Sequence, residues 1–153
     1  MLFLIKETYK HLATLKYNIM KKIGIWIDKR EAKIISIESG NEQIDTIESE
    51  VEEFRPLGGS GTRVKGGPQD VIQDSKFLER EKRQLADYFK RIISFIKDAD
   101  AVVIFGPAQT GEKLHKELVA QKLYTFKSLA VEKADSLTEN QVIAWVRDYY
   151  ASR

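Results

Sequence analysis

The sequence predicts one α/β domain: a mixed five-stranded sheet flanked by helices, with its elements in the order β-β-β-α-β-α-β-α. Three observations carry this reading. Two near-continuous apolar runs, Ile23-Gly24-Ile25-Trp26-Ile27 and Ala101-Val102-Val103-Ile104-Phe105, have the pattern of strands covered on both faces. Phe77, Leu78, Leu85, Tyr88, Phe89, Ile92, Ile93 and Ile96 follow one helical stripe between them. The chain's 153 residues, 42% hydrophobic and 31% charged, suit a single globular unit large enough to bury a core.

Residues 1–19 carry Tyr9, Leu12, Leu15 and Ile19 at loosely helical spacing and are expected to form an extension ahead of a domain spanning 20–153. The apolar run Leu2-Phe3-Leu4-Ile5 is far shorter than the about 20 residues of a membrane helix. Its positive charges follow the run, whereas those of a secretory signal precede it. The expectation is a cytoplasmic protein with no membrane partner.

The first strand, 23–27, turns at Asp28-Lys29-Arg30-Glu31 into a second over 32–37. Gly40-Asn41 turns the chain again into a third strand over 43–51. Glu42, Asp45, Glu48, Glu50, Glu52 and Glu53 stand in residues 42–53 without a single Lys or Arg, the composition of a solvated edge strand that charge protects from further pairing. Residues 55–74 lack any hydrophobic period and hold five of the nine glycines, so they read as a flexible loop. Asp74 or Ser75 then caps the long helix, which ends near Lys97. Its first turns, 77–83, are mostly charged and are expected to project beyond the core. After the 101–105 strand, Gly106-Pro107 stops the chain, and Thr110 or Gly111 opens a helix with Leu114, Leu118 and Val119 on one side. A strand over 125–131 follows. A last helix, capped by Ser136 or Thr138, carries Val142, Ile143, Val146 and Tyr149. This is the element order of the ribonuclease H-like architecture.

Composition narrows the chemistry. There is no cysteine, which removes disulfides, thiolate metal ligands and thiol nucleophiles together. His11 and His115 are far apart in sequence, so no metal and no cofactor is expected. With 25 basic and 23 acidic side chains the net charge is +2, which does not announce nucleic acid by itself. The phosphate-loop pattern fails from Gly58, Gly59, Gly61 and Gly66 alike, and the dinucleotide fingerprint fails because Val64 stands where its third glycine belongs. A metal nuclease would require several carboxylates gathered at one sheet end. Asp28 sits at the end of the first strand and Glu79 and Glu81 on the long helix, but no acid closes the 101–105 strand; Asp28 reads more simply as a turn residue. Trp26, Trp145 and the Tyr149-Tyr150 pair lie in periodic apolar segments and read as core and helix anchors.

From about residue 23 to 118 the chain resembles the central domain of the archaeo-eukaryotic class-one peptide-chain release factors and of the rescue factor Pelota. The parts come in that family's order: a strand ending in Asp28, a second strand from Ala32, the basic glycine loop Arg63-Val64-Lys65-Gly66-Gly67-Pro68-Gln69, an Arg- and Glu-rich helix beginning Phe77-Leu78-Glu79-Arg80-Glu81-Lys82-Arg83, and the strand and turn through Phe105-Gly106-Pro107 before the helix that holds Lys113. The resemblance implies a small translation-associated factor whose partner is the ribosome or tRNA. It implies catalytic roles for Gly66, Gly67 and Gln69 in peptidyl-tRNA hydrolysis, and RNA contacts by Arg55, Arg63, Lys65, Arg80, Lys82 and Arg83. The family's Gly-Gly-Gln reads Gly66-Gly67-Pro68-Gln69 here. Pro68 has no N–H to orient water or hold an oxyanion, and it biases Gly67 toward extended backbone. Charge-based binding survives that change. Three readings therefore stand: a release-type factor with or without turnover, a non-catalytic RNA- or protein-interaction domain, and a ribonuclease H-like metal nuclease. The sequence sets no oligomeric state.

Overall fold

Strand β1 (Lys22–Ile27) is the centre of the molecule because alternate residues of it serve two separate cores. Ile23, Ile25 and Ile27 are fully buried toward one layer, and Trp26 is buried toward the other. A computed structural model describes residues 20–51, 68–107, 109–122 and 126–153, the side chains of 68–73 excepted. β1 pairs antiparallel with β2 (Glu31–Glu38) and parallel with β4 (Ala101–Gly106). β3 (Asn41–Glu48) adds antiparallel to β2, and β5 (Ser128–Lys133) adds parallel to β4. The order is β3-β2-β1-β4-β5. Among the described residues three helices flank this sheet: α1 (Pro68–Ile96), α2 (Thr110–Gln121) and α3 (Glu139–Ala151). The mixed sheet and its element order are those expected of a ribonuclease H-like α/β fold.

Helices α1 and α2 cover the layer built on Ile23, Ile25, Ile34, Val102 and Ile104, into which Tyr88, Ile92, Leu114 and Leu118 pack. α3 covers the other layer, with Val142 and Val146 on Trp26, Ile35 and Phe105. Its approach to β1 is close enough that a Cβ on Gly24 would lie 2.3 Å from Val146 Cγ2. Phe105 stacks on Trp145 with ring centroids 3.8 Å apart, and the Tyr150 hydroxyl donates to Ile23 O at 2.7 Å. The aromatic anchors expected from the sequence are thus packing groups.

Several boundaries differ from the sequence reading. α1 begins at Pro68, not at Asp74 or Ser75, so 68–74 is helix and not loop. Proline is well suited to the first helical position, where its missing N–H has no partner to lose and its φ is already helical. β3 starts at Asn41 because the hairpin closes on a two-residue turn, Ser39-Gly40, with φ of 53° and 79°. Two successive positive φ values match the right-handed twist of the flanking strands. β5 runs over Ser128–Lys133 because its parallel register is set by β4, from Ala101 opposite Ser128 to Gly106 opposite Lys133. Of the two caps offered to α3, Thr138 is used: its hydroxyl accepts from Gln141 N, and the Gln141 side chain accepts from Thr138 N at 2.9 Å. The acidic third strand is an edge strand, as expected. The expected extension over 1–19 lies outside the described residues.

Candidate nucleic-acid interface

α1 is longer than the sheet it packs on. Its core contacts are made by Tyr88, Phe89, Ile92 and Ile96, all buried, with Leu85 and Ile93 partly so. The Tyr88 hydroxyl donates to Asp28 O at 3.2 Å and marks the level at which β1 ends. Burial first, then the nearby Asp28 and Glu31 charges, push the Tyr88 phenol well above its ordinary range, so it stays a proton donor. Farther out, Lys29 Nζ on the β1–β2 turn meets Glu81 Oε1 at 3.1 Å. Beyond it Leu78 continues the apolar stripe but is 61% exposed, because the sheet has run out beneath it. At 1.5 Å per residue, the helix from Pro68 to Arg80 adds about 20 Å past that edge.

Arg80 on this overhang, and Lys82 and Arg83 between Glu81 and the buried Tyr88, are all exposed. Arg80 and Arg83, three residues apart, share one side of the helix, and Lys82 stands about a quarter-turn from Arg83. Lys76, four residues before Arg80, joins the same side and was missed in the sequence reading; the i, i+4, i+7 spacing of 76, 80 and 83 is the signal that finds it. Of the other expected site residues, Gln69 has its backbone in the first turn of α1. Arg55, Arg63, Lys65, Gly66 and Gly67 lie outside the described residues. The chain enters that segment from the same sheet edge: Ser49 N donates to Arg30 O at 2.8 Å, and Ser49 Oγ donates to Lys29 O.

The rest of this edge is built from turns. Asp28 is the turn residue the sequence suggested: its Oδ1 accepts from Arg30 N at 2.7 Å and Glu31 N at 2.8 Å. Among the described residues no three His, Asp or Glu side chains come together as metal ligands would. β4 leaves the sheet at Gly106, whose φ of 147° and a would-be Cβ 2.3 Å from Ile27 O admit only glycine. An open cleft beside it, between Pro107, Gln109 and Glu112 on one side and Lys133 and Asp135 on the other, mixes both charge signs. At the opposite end of the sheet Lys21 Nζ meets Asp98 Oδ2 at 2.9 Å, and that hydrogen bond holds the Asp98 carboxyl below the usual carboxylate range. Arg147 does the same for Glu42 on β3, at 2.7 Å.

The arrangement offers a cation-bearing helix standing clear of the sheet. Such a surface attracts and positions phosphates by charge alone. No helix among the described residues is long and apolar enough to cross a membrane. Compared with known proteins, the chain matches no family model and no curated sequence.

Proposed function

We propose that the protein is a cytoplasmic, translation-associated factor of the release-factor type that binds the ribosome or tRNA without hydrolysing peptidyl-tRNA. The observation that carries this reading is the outer part of α1, beyond the level of Tyr88, where Arg80, Lys82 and Arg83 are exposed a few residues after Arg63, Lys65, Gly66 and Gly67 in the chain. Pro68 at the first helical position supports binding over turnover: the residue after Gly67 has no N–H and no side-chain amide to place on a reacting carbonyl. Arg55, Arg63 and Lys65 add RNA contacts in this reading, and no cofactor is required.

The test is ribosome co-sedimentation at two salt concentrations, followed by a peptidyl-tRNA release assay on the wild type and on Pro68→Gln. The expected result is association at low salt that weakens as salt rises, with no release by the wild type. Absence of ribosome association at low salt overturns the reading. Release by the wild type leaves the association standing and overturns the non-catalytic part.

A further inference from the structure

We infer that the RNA bound at α1 is base-paired, and that its two backbones are held by two separate cation groups on the solvent side of this helix. The inference rests on the reading of α1 as an RNA-binding element. Leu85, Tyr88, Ile92 and Ile96 mark the side of α1 turned to the sheet. The opposite side carries, in order, Lys76, Arg80, Arg83, Asp87, Lys90 and Ser94, at i, i+4, i+7, i+11, i+14 and i+18, with Arg91 adjoining on one flank and Glu79 on the other; every one of them is exposed. Arg91 is steadied by the Tyr88 ring, its guanidinium 6.0 Å from the centroid. The cations therefore fall into an outer group, Lys76, Arg80 and Arg83, and an inner group, Lys90 and Arg91. From Arg83 to Lys90 is about 10 Å along the axis, with the Asp87 carboxylate between.

This spacing discriminates between nucleic-acid forms. A single strand tracking α1 would carry its phosphates over Asp87 and meet repulsion in mid-course. A duplex crossing the helix sets one backbone on each cation group and leaves the groove, which carries no phosphate charge, over Asp87. Rings point the same way. Single-strand binding draws on exposed aromatic platforms, whereas Tyr88 and Phe89 of α1 are buried, Phe77 is half-buried, and Phe95, 40% exposed, opens on another side, into the cleft with Lys21 and Asp98. A cationic side on which no described ring is fully exposed reads backbone shape, the manner in which paired RNA is recognised.

The experiment is fluorescence anisotropy with the full chain, using a labelled RNA hairpin and an oligo-uridine of equal length. The hairpin is expected to bind at least tenfold tighter. Lys90→Glu with Arg91→Glu, at exposed positions far along α1 from the glycine loop, is expected to weaken hairpin binding at least tenfold and to flatten its log–log salt slope by about two units. Lys90→Arg with Arg91→Lys restores wild-type binding, and charge reversal at Lys113 and Lys116 on α2 changes it less than threefold. Equal or tighter binding of oligo-uridine overturns the inference. So does unchanged hairpin binding in the Lys90/Arg91 reversal, or an equal loss from the Lys113/Lys116 reversal. Any of these outcomes with ribosome co-sedimentation intact removes the duplex inference alone; loss of co-sedimentation in the wild type removes the functional reading beneath it.

Discussion

The inner and outer halves of α1 carry the same kind of apolar spacing in opposite surroundings. From Tyr88 to Ile96 the stripe is sealed against β1, β2 and β4. From Phe77 to Arg83 it continues past the sheet, and Leu78 faces water. Periodicity sets which side of a helix is apolar, but the length of the sheet decides how much of that side is buried. The inner half is where α1 makes its buried core contacts, and Leu78 in the outer half adds little to them.

That contrast is most directly broken at Ile92. Ile92→Ala removes methyl groups from a fully buried site and is expected to cost about 3 kcal/mol in urea unfolding. The same truncation at Leu78 is expected to change stability by less than about 0.5 kcal/mol. If Leu78→Ala costs as much as Ile92→Ala, the outer half is packed and the contrast fails.

In the outer half the expected effects are on binding. Arg80→Ala with Arg83→Ala should leave the unfolding midpoint in place, weaken ribosome association about tenfold, and lower its salt slope by about two units. Gly66→Ala and Gly67→Ala should leave association nearly unchanged, since they remove no charge. Co-sedimentation across a salt series measures both.

At the boundary between the halves, Tyr88→Phe deletes the hydroxyl that donates to Asp28 O while keeping the ring, and should cost about 1 kcal/mol. Denaturant titration beside the wild type checks it. The smallest expected effect lies at the inner end of α1. Because the Lys21 ammonium holds the folded Asp98 carboxyl below its unfolded value, the pair adds stability above the usual carboxylate pKa of about 3.9 and loses it as pH falls. The Asp98 carboxylate is 71% exposed, so screening limits this to about 0.5 kcal/mol or less, read as the acid-side stability difference between wild type and Asp98→Asn.

The parts of the fold legible in the sequence were those with a single physical solution. β1 and β4 are covered on both faces, which excludes polar residues and leaves an unbroken apolar run. The acidic composition of β3 marked an edge, because only an edge tolerates that much charge of one sign. The start of α1 was misread because Gly67-Pro68 breaks a helix when it lies inside one, yet Pro68 suits the first turn; the two residues alone do not say on which side of the boundary they stand. The cationic side of α1 was partly legible. Arg80, Lys82 and Arg83 are adjacent in sequence, but Lys82 points elsewhere. Lys76, Lys90 and Arg91 stand among Glu79, Glu81 and Asp87, and only the burial of Tyr88 and Ile92 shows which charges share a side.

The two tryptophans have a spectroscopic consequence. Trp26, its Nε1 donating to Asp135 O at 3.3 Å and its ring 5.5 Å from Lys33 Nζ, and Trp145, stacked between Phe105 and Tyr149, both belong to the layer under α3. α1 has none. Intrinsic fluorescence will therefore report the docking of α3 on the sheet, with Trp145 shifting to the red as α3 lifts away, and will remain silent when a ligand settles on the far side of the molecule.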